Sequence, residues 1–342
     1  MSGRDGDRHG EHRPPLNRED DMTRFGYFLA SEEHGPKELV RQARAAEEAG
    51  FDALWISDHY HPWLDSQGQS SFVWSVVGAI GQVTSLPVTT AVTCPTTRIH
   101  PAVVAQAAAT AAAMTNAGFV LGVGTGEALN EHILGDPWPH AARRLAMLEE
   151  SIEVMRRLWE GGTVSHRGEF YTVDTARLYT LPEEPPKVYM SAFGPKATAL
   201  AARVADGLVQ VSPAPDTIAD FREQGGRGPV QGGLKVCWAE DEGEAVRTAY
   251  ERWPTEALVG EASQLLPSPR HFEQLTSGLV TPEMVAEQVP CGPDPEEHVA
   301  AFEPYLEAGA DEVYVCQVGD DQDGFFDFYA REVLPRLRAS GS

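Results

Sequence analysis

From Arg24 onward the apolar and polar positions switch repeatedly between two periods. Arg24 to Ala30 (RFGYFLA) is an apolar run of strand length. Pro36 to Gly50 (PKELVRQARAAEEAG) then spaces its apolar residues three and four apart and closes on a glycine, as an amphipathic helix does. The cycle repeats with DALWIS (52–57), a helix from about Phe72, PVTTAV (87–92), an alanine-rich helix over Pro101 to Met114, a strand over Gly118 to Val123 and a helix over Ala141 to Glu160. Later strands are expected at KVYMS (187–191), GLVQV (207–211), LKVCW (234–238) and EVYVC (312–316). Eight such runs separated mainly by helical segments predict an α/β fold, a closed (β/α)8 TIM barrel rather than an open sheet. Two stretches exceed ordinary loop length, 163–186 and 254–290, and are expected to be insertions that shape a pocket or pack a partner subunit.

The first 21 residues are almost wholly polar and bury too little apolar surface to offset ordering, so a disordered leader over 1–21 and one barrel domain over 22–338 are expected. Acidic residues outnumber basic ones, 51 to 27, a net charge of −24 that repels nucleic acid and anionic membrane. No apolar run approaches a transmembrane span, and Cys94, Cys237, Cys291 and Cys316 are too scattered for a disulfide framework or a zinc site. The expectation is a cytoplasmic protein acting on a small molecule.

In a barrel of parallel strands the chemistry collects at the C-terminal strand ends. Strand one is followed by Ser31, Glu32, Glu33 and His34; strand two by Ser57, Asp58, His59, Tyr60, His61, Pro62 and Trp63; strand four by Thr125, Glu127 and Asn130. Two acids and a histidine can thus meet over one mouth and do acid/base work. Trp55 and Trp63 are both expected to flank it. Strand four ends in Gly122, Gly124 and Gly126, either a place for a ligand to approach the backbone or a tight strand-to-helix turn. The spacing departs from a dinucleotide fingerprint: Ala128 takes the third glycine's place, and no acidic residue ends a second strand about 20 residues on. His59 and His61, with Asp58, could share a metal, but Pro62 restricts His61 and no later strand end adds a ligand, so no metal is assigned.

The segments SDHYHPW (57–63), TRIHPAVVAQA (97–107), LGVGTGEALNE (121–131) and ADGL (205–208), in this order, resemble the bacterial-luciferase-like superfamily, in particular its F420-dependent glucose-6-phosphate dehydrogenase branch. The resemblance covers residues 24–338. It implies a (β/α)8 barrel, usually a homodimer, that binds the 5-deazaflavin coenzyme F420 across the mouth and transfers hydride; FMN is the alternative cofactor in the wider superfamily. Carried over by position, His59 is the base for a substrate hydroxyl, Glu127 the acid beside the ring, Glu32 a second acid near substrate and Trp63 an aromatic wall. Asp58, Thr125, Gly126 and Asn130 match coenzyme contacts, and Ala91-Val92 matches a non-prolyl cis peptide under the ring. Two positions depart from the pattern. Cys94 stands where a threonine is expected, and Phe193-Gly194 replaces a double glycine at the phosphate loop, with Lys196 just beyond. The branch's sugar-phosphate clamp of two lysines and an arginine is replaced by Ala214, the Gly260-Glu261 neighbourhood and Gln288, with Arg270 as a substitute anion contact. The expected substrate is therefore a neutral alcohol, carbonyl or activated alkene, in either direction, the alternatives being a sugar phosphate, an FMN-dependent reductase or monooxygenase, and a non-redox metal hydrolase.

Overall fold

The computed structural model describes residues 23–340, so the leader expected over 1–21 lies outside the described residues. Among the described residues there are ten strands: β1 Arg24–Leu29, β2 Ala53–Ile56, β3 Val88–Thr90, β4 Phe119–Val123, β5 Val164–Arg167, β6 Thr172–Ala176, β7 Lys187–Ser191, β8 Gly207–Gln210, β9 Val230–Val236 and β10 Glu312–Gln317. Eight of them close a parallel barrel in the order β1-β10-β9-β8-β7-β4-β3-β2, and β5 and β6 form a separate antiparallel pair. The barrel read from the sequence is the barrel observed. Helices cover its outside, among them Pro36–Ala49, Val73–Ile80, Pro101–Met114 and Ala141–Trp159. No helix among the described residues is long and apolar enough to cross a membrane.

Strands buried on both faces read as nearly continuous apolar runs, which is why they were legible. On β1, Tyr27 and Leu29 pack outward against helices, while Gly26 and Phe28 face the barrel axis. The axis is filled by Trp55 of β2 stacked on Tyr314 of β10, ring centres 4.5 Å apart, with Phe28 edge-on to Trp55. Two such rings fit only because the facing strands carry glycine: a Cβ on Gly26 would lie 2.2 Å from the Tyr314 ring, and one on Gly233 2.3 Å from Trp55. Trp55 is thus wholly buried, donates its indole N–H to Gln231 Oε1 at 2.9 Å, and does not flank the mouth as expected. Below it, Gln231, Tyr314, Glu312 and Arg24 form a hydrogen-bonded polar layer at the N-terminal end.

The strand expected at 234–238 begins four residues earlier, at Val230. Its start was hidden by Gly232 and Gly233, which are poor strand formers but are required here by Tyr305 outside and Trp55 inside. The 163–186 insertion holds the β5–β6 hairpin, whose turn is gripped by Glu150, a carboxylate accepting the backbone N–H groups of Glu169, Phe170 and Tyr171 at 2.9–3.1 Å. The 254–290 insertion is a string of short helices, Pro254–Ala257, Ala262–Leu265, Pro269–Leu279 and Pro282–Ala286. It reaches the mouth through Phe272, edge-on to Trp63 at 5.2 Å.

The glycines of β4 serve close packing against the end of β3. A Cβ on Gly122 would lie 1.9 Å from the Thr90 carbonyl oxygen, and one on Gly124 2.7 Å from Val92 Cγ2. Gly122→Ala is expected to lower the unfolding free energy by about 2 kcal/mol or more, because a backbone atom cannot give way as a side chain can. Gly162→Ala, whose Cβ would meet nothing within 4 Å, is expected to be near neutral. Urea midpoints of the two variants against the parent check the contrast.

Candidate active site

The C-terminal ends of β1, β2, β3 and β4 bring most of the expected residues to one mouth. Between the ends of β2 and β4 lies Ala91-Val92, a cis peptide bond, with both side chains half-buried. On one side stands His59. Its Nδ1 lies 3.3 Å from the His61 carbonyl oxygen, which can only accept, so an Nδ1–H donates to it and Nε2 is the ring nitrogen left to face the mouth. Nε2 is 3.6 Å from Glu32 Oε1. Glu32 is itself held by Ser57, whose hydroxyl donates to Oε2 at 2.7 Å and accepts the Ser31 N–H at 2.9 Å. Trp63 covers the imidazole, ring centres 5.1 Å apart. His59, Glu32 and Trp63 therefore form one unit, Glu32 from the loop after β1 and His59 and Trp63 from the loop after β2.

Opposite stand Thr125, Gly126 and Glu127, all half-buried, with Glu127 at the N-terminal cap of the helix Ala128–Glu131. Gly126 has φ +76°, and a Cβ there would meet Cys94 Sγ at 2.6 Å and Glu131 Cγ at 2.9 Å, so glycine is required twice over. Asn130 is buried and spends its groups internally. Its Oδ1 accepts the N–H groups of Tyr60 and His61 at 2.9 and 3.1 Å, and its Nδ2 donates to Glu127 Oε2 at 3.3 Å. One side chain thus ties the His59 loop to Glu127. Asp58 is likewise engaged, accepting Thr93 Oγ1 at 2.8 Å and Arg98 Nη2 at 3.0 Å. His61 turns its Nδ1 to the Leu129 carbonyl at 2.9 Å, away from the His59 ring nitrogens, and its own carbonyl orients His59.

Cys94 is buried with its Sγ 3.0 Å from Thr96 Oγ1, and burial pushes its thiol well above the ordinary range, which keeps it protonated. Across the mouth, after β7, Phe193 is 59% exposed and Gly194 caps the helix Pro195–Val204, in whose first turn Lys196 stands exposed. These three offer an open helix N-terminus and a cation near an unsupported aromatic face. Ala214 caps the next helix, Pro215–Glu223, while Arg270, Glu261 and Gln288 lie exposed on the 254–290 insertion.

Several residues at the site were not singled out in the sequence. Arg98 lies buried between two carboxylates, Asp58 at 3.0 Å and Glu131 at 3.4 Å, and donates its backbone N–H to Glu131 at 2.8 Å. Both stand inside recognisable segments, but nothing in their spacing announces a pair 33 residues apart. Glu33 accepts the Trp253 indole N–H and, at 3.2 Å, the Gly319 N–H. Lys235, on the axis-facing side of β9, pairs with Glu256 at 2.9 Å. A lone lysine in an otherwise apolar strand was the one available signal for it.

The mouth pairs an apolar half-buried shelf, Ala91-Val92, with polar groups at both edges, His59 with Glu32 and Glu127 with Thr125. That donor set fits a flat, largely apolar ring with polar rims, and among the described residues no three His, Cys, Asp or Glu side chains are grouped to hold a metal. Residues 22–312 match the family model for luciferase-like monooxygenases. The chain is 38% identical over 330 residues to an F420-dependent glucose-6-phosphate dehydrogenase of Nakamurella multipartita, covering 92% of this chain and 97% of that one. It is 34% identical to the enzyme of the same description from Amycolatopsis mediterranei, covering 94% and 100%. Among solved structures it superposes, with a TM-score of 0.84, 32% identity and coverage of 92% and 99%, on an F420-dependent secondary alcohol dehydrogenase in complex with an F420-acetone adduct.

Burial pushes the Glu33 carboxyl up to about 7, against its two hydrogen bonds, which pull it down. Between the ordinary carboxylate range and pH 7 the folded state then holds a proton that the unfolded chain has released, so stability falls as pH rises through this window. Glu33→Gln is expected to flatten that fall, by at most about 1.4 kcal/mol per pH unit. Denaturant midpoints from pH 4.5 to 8 for parent and variant measure it.

Proposed function

The chain belongs to the luciferase-like monooxygenase family, and from that premise we propose that it is a coenzyme F420-dependent oxidoreductase acting on a small neutral alcohol or carbonyl compound. The observation that carries the reading is His59, with Nδ1 held by the His61 carbonyl and Nε2 3.6 Å from the Glu32 carboxylate. Coenzyme F420, when bound, supplies the hydride acceptor or donor. Everything else is done by the chain.

The shelf of Ala91-Val92 and the exposed Phe193 face would seat the ring, and Gly194 with Lys196 would meet an anionic tail at the helix N-terminus. His59 Nε2 takes the hydroxyl proton of an alcohol, or returns it to a carbonyl oxygen, and Glu32 stabilises the imidazolium that forms. Ser57 and Ser31 keep Glu32 in place during that change of charge. Glu127, oriented by the Asn130 amide, is the group that would deliver a proton at the opposite rim of the mouth. Trp63 and Phe272 exclude water from the imidazole.

Among the positions aligned with a sugar-phosphate clamp, Ala214 and Gln288 carry no charge and Glu261 carries the wrong one, which disfavours a dianionic substrate. The names of the curated relatives support glucose 6-phosphate as a second reading. A homodimer and a cytoplasmic location rest on the family resemblance, and light scattering of the purified protein tests the first.

Titration with oxidised F420 and with FMN, read by quenching of Trp63, is expected to give micromolar affinity for the deazaflavin and none for FMN; the reverse preference would replace the reading with a flavin-dependent one. Coenzyme absorbance should then bleach with secondary alcohols and not with glucose 6-phosphate. His59→Ala is expected to lower kcat by roughly 10²- to 10⁴-fold with F420 affinity kept. Glu127→Gln should slow single-turnover hydride transfer without moving the thermal midpoint; a large drop in that midpoint would assign Glu127 a structural task instead.

A further inference from the structure

Lys235 carries a charge where a barrel seldom places one. On β9, Gln231 and Gly233 face the axis beside Trp55, and a period of two puts Lys235 on the same face, one layer nearer the mouth. Its ammonium group is 4.2 Å from the centre of the Trp253 ring and 5.9 Å from that of Phe28. Phe28 and Trp253 belong to the apolar cluster against which Trp63, Ala91 and Val92 also pack, so Lys235 shares its walls with the His59 site. The side chain is 15% exposed, and Glu32, the partner of His59, acts on its charge.

A lysine at this depth needs a counter-charge. It comes from outside the barrel: Glu256, on the Pro254–Ala257 turn of the insertion, places Oε1 2.9 Å from Nζ and remains 29% exposed. The aromatic surface beside the ammonium is fixed in turn, since the Trp253 indole donates to Glu33, whose other oxygen accepts the Gly319 N–H. The mouth therefore holds a well-positioned donor whose charge is cancelled by a residue on a loop, and an ammonium has three N–H groups, of which Glu256 takes one.

Building on the function proposed above, we propose that Lys235 is a substrate-recognition residue that donates a hydrogen bond to a substrate oxygen, and that Glu256 determines specificity by cancelling its charge and turning anionic substrates away. A neutral hydroxyl or carbonyl compound keeps the Lys235–Glu256 pair intact. A phosphate or carboxylate has to compete with Glu256 for the same cation and meets its negative charge while doing so.

Inorganic phosphate at constant ionic strength, read by tryptophan fluorescence with Trp253 beside the cation, tests this without turnover. The parent is expected to show no saturable change, Glu256→Gln a saturable one, and the double variant Lys235→Met with Glu256→Gln none. In turnover, Glu256→Gln should raise kcat/KM for a hydroxy acid relative to a neutral secondary alcohol on the order of tenfold, through KM rather than kcat. A Glu256→Gln protein with parental circular dichroism and thermal midpoint that binds no phosphate would overturn the proposal and leave the pair as an anchor for the insertion. Phosphate binding that survives in the double variant would overturn it equally. Failure of the parent to turn over any alcohol with F420 would sink the proposed function instead, and the phosphate titration would still decide the role of Lys235 and Glu256.

Discussion

The interior of an eight-stranded barrel has to be filled, and here it is filled by the stack of Trp55 on Tyr314. Two large rings in one layer leave no room for side chains on the facing strands, so Gly26 and Gly233 are glycines. The stack separates the ends of the barrel. Below it Gln231, Glu312 and Arg24 pair among themselves; above it Phe28, Lys235 and Cys316 make the floor of the mouth. Every group proposed for chemistry stands on that floor or on the loops around it, as the geometry of parallel barrels dictates.

Loops at strand ends are the mobile parts of a barrel, yet reacting groups have to be held to fractions of an ångström. This protein meets that demand with buried polar side chains. Asn130 binds two backbone N–H groups of the His59 loop and reaches Glu127 with its remaining amide. Arg98 clamps Asp58 to Glu131, and Thr93 holds the other oxygen of Asp58. Each of these groups would be costly to leave unpaired in the interior, so the pairing selects one loop arrangement. Asp58 and Asn130, expected to touch the coenzyme, also hold this scaffold together through two and three hydrogen bonds respectively.

The insertion at 254–290 adds a second kind of control. It contributes Phe272 against Trp63 and Glu256 against Lys235, so an element outside the barrel sets both the apolar wall and the net charge of the mouth. In a chain with a net charge of −24 a buried cation is conspicuous, and its counter-ion is supplied by the segment with the most freedom to vary.

The sequence by itself determined the barrel, because strands buried on both faces must be apolar throughout and the helices that cover them must be apolar on one side, patterns that survive in one dimension. It also placed His59, Glu32, Glu127 and Trp63 at strand ends, and there the structure brings His59, Glu32 and Trp63 into contact. Where glycine was needed for packing, the pattern was less legible: Gly232 and Gly233 hid the start of β9, and Gly122 and Gly124, which left a ligand loop and a tight turn both open, pack against Thr90 and Val92. Only the tertiary structure decided which buried polar and charged side chains partner one another. Arg98 with Glu131, Trp253 with Glu33 and Lys235 with Glu256 join residues far apart in the chain, and the cost of burying a polar or charged group unpaired is set in three dimensions, where no periodicity records it.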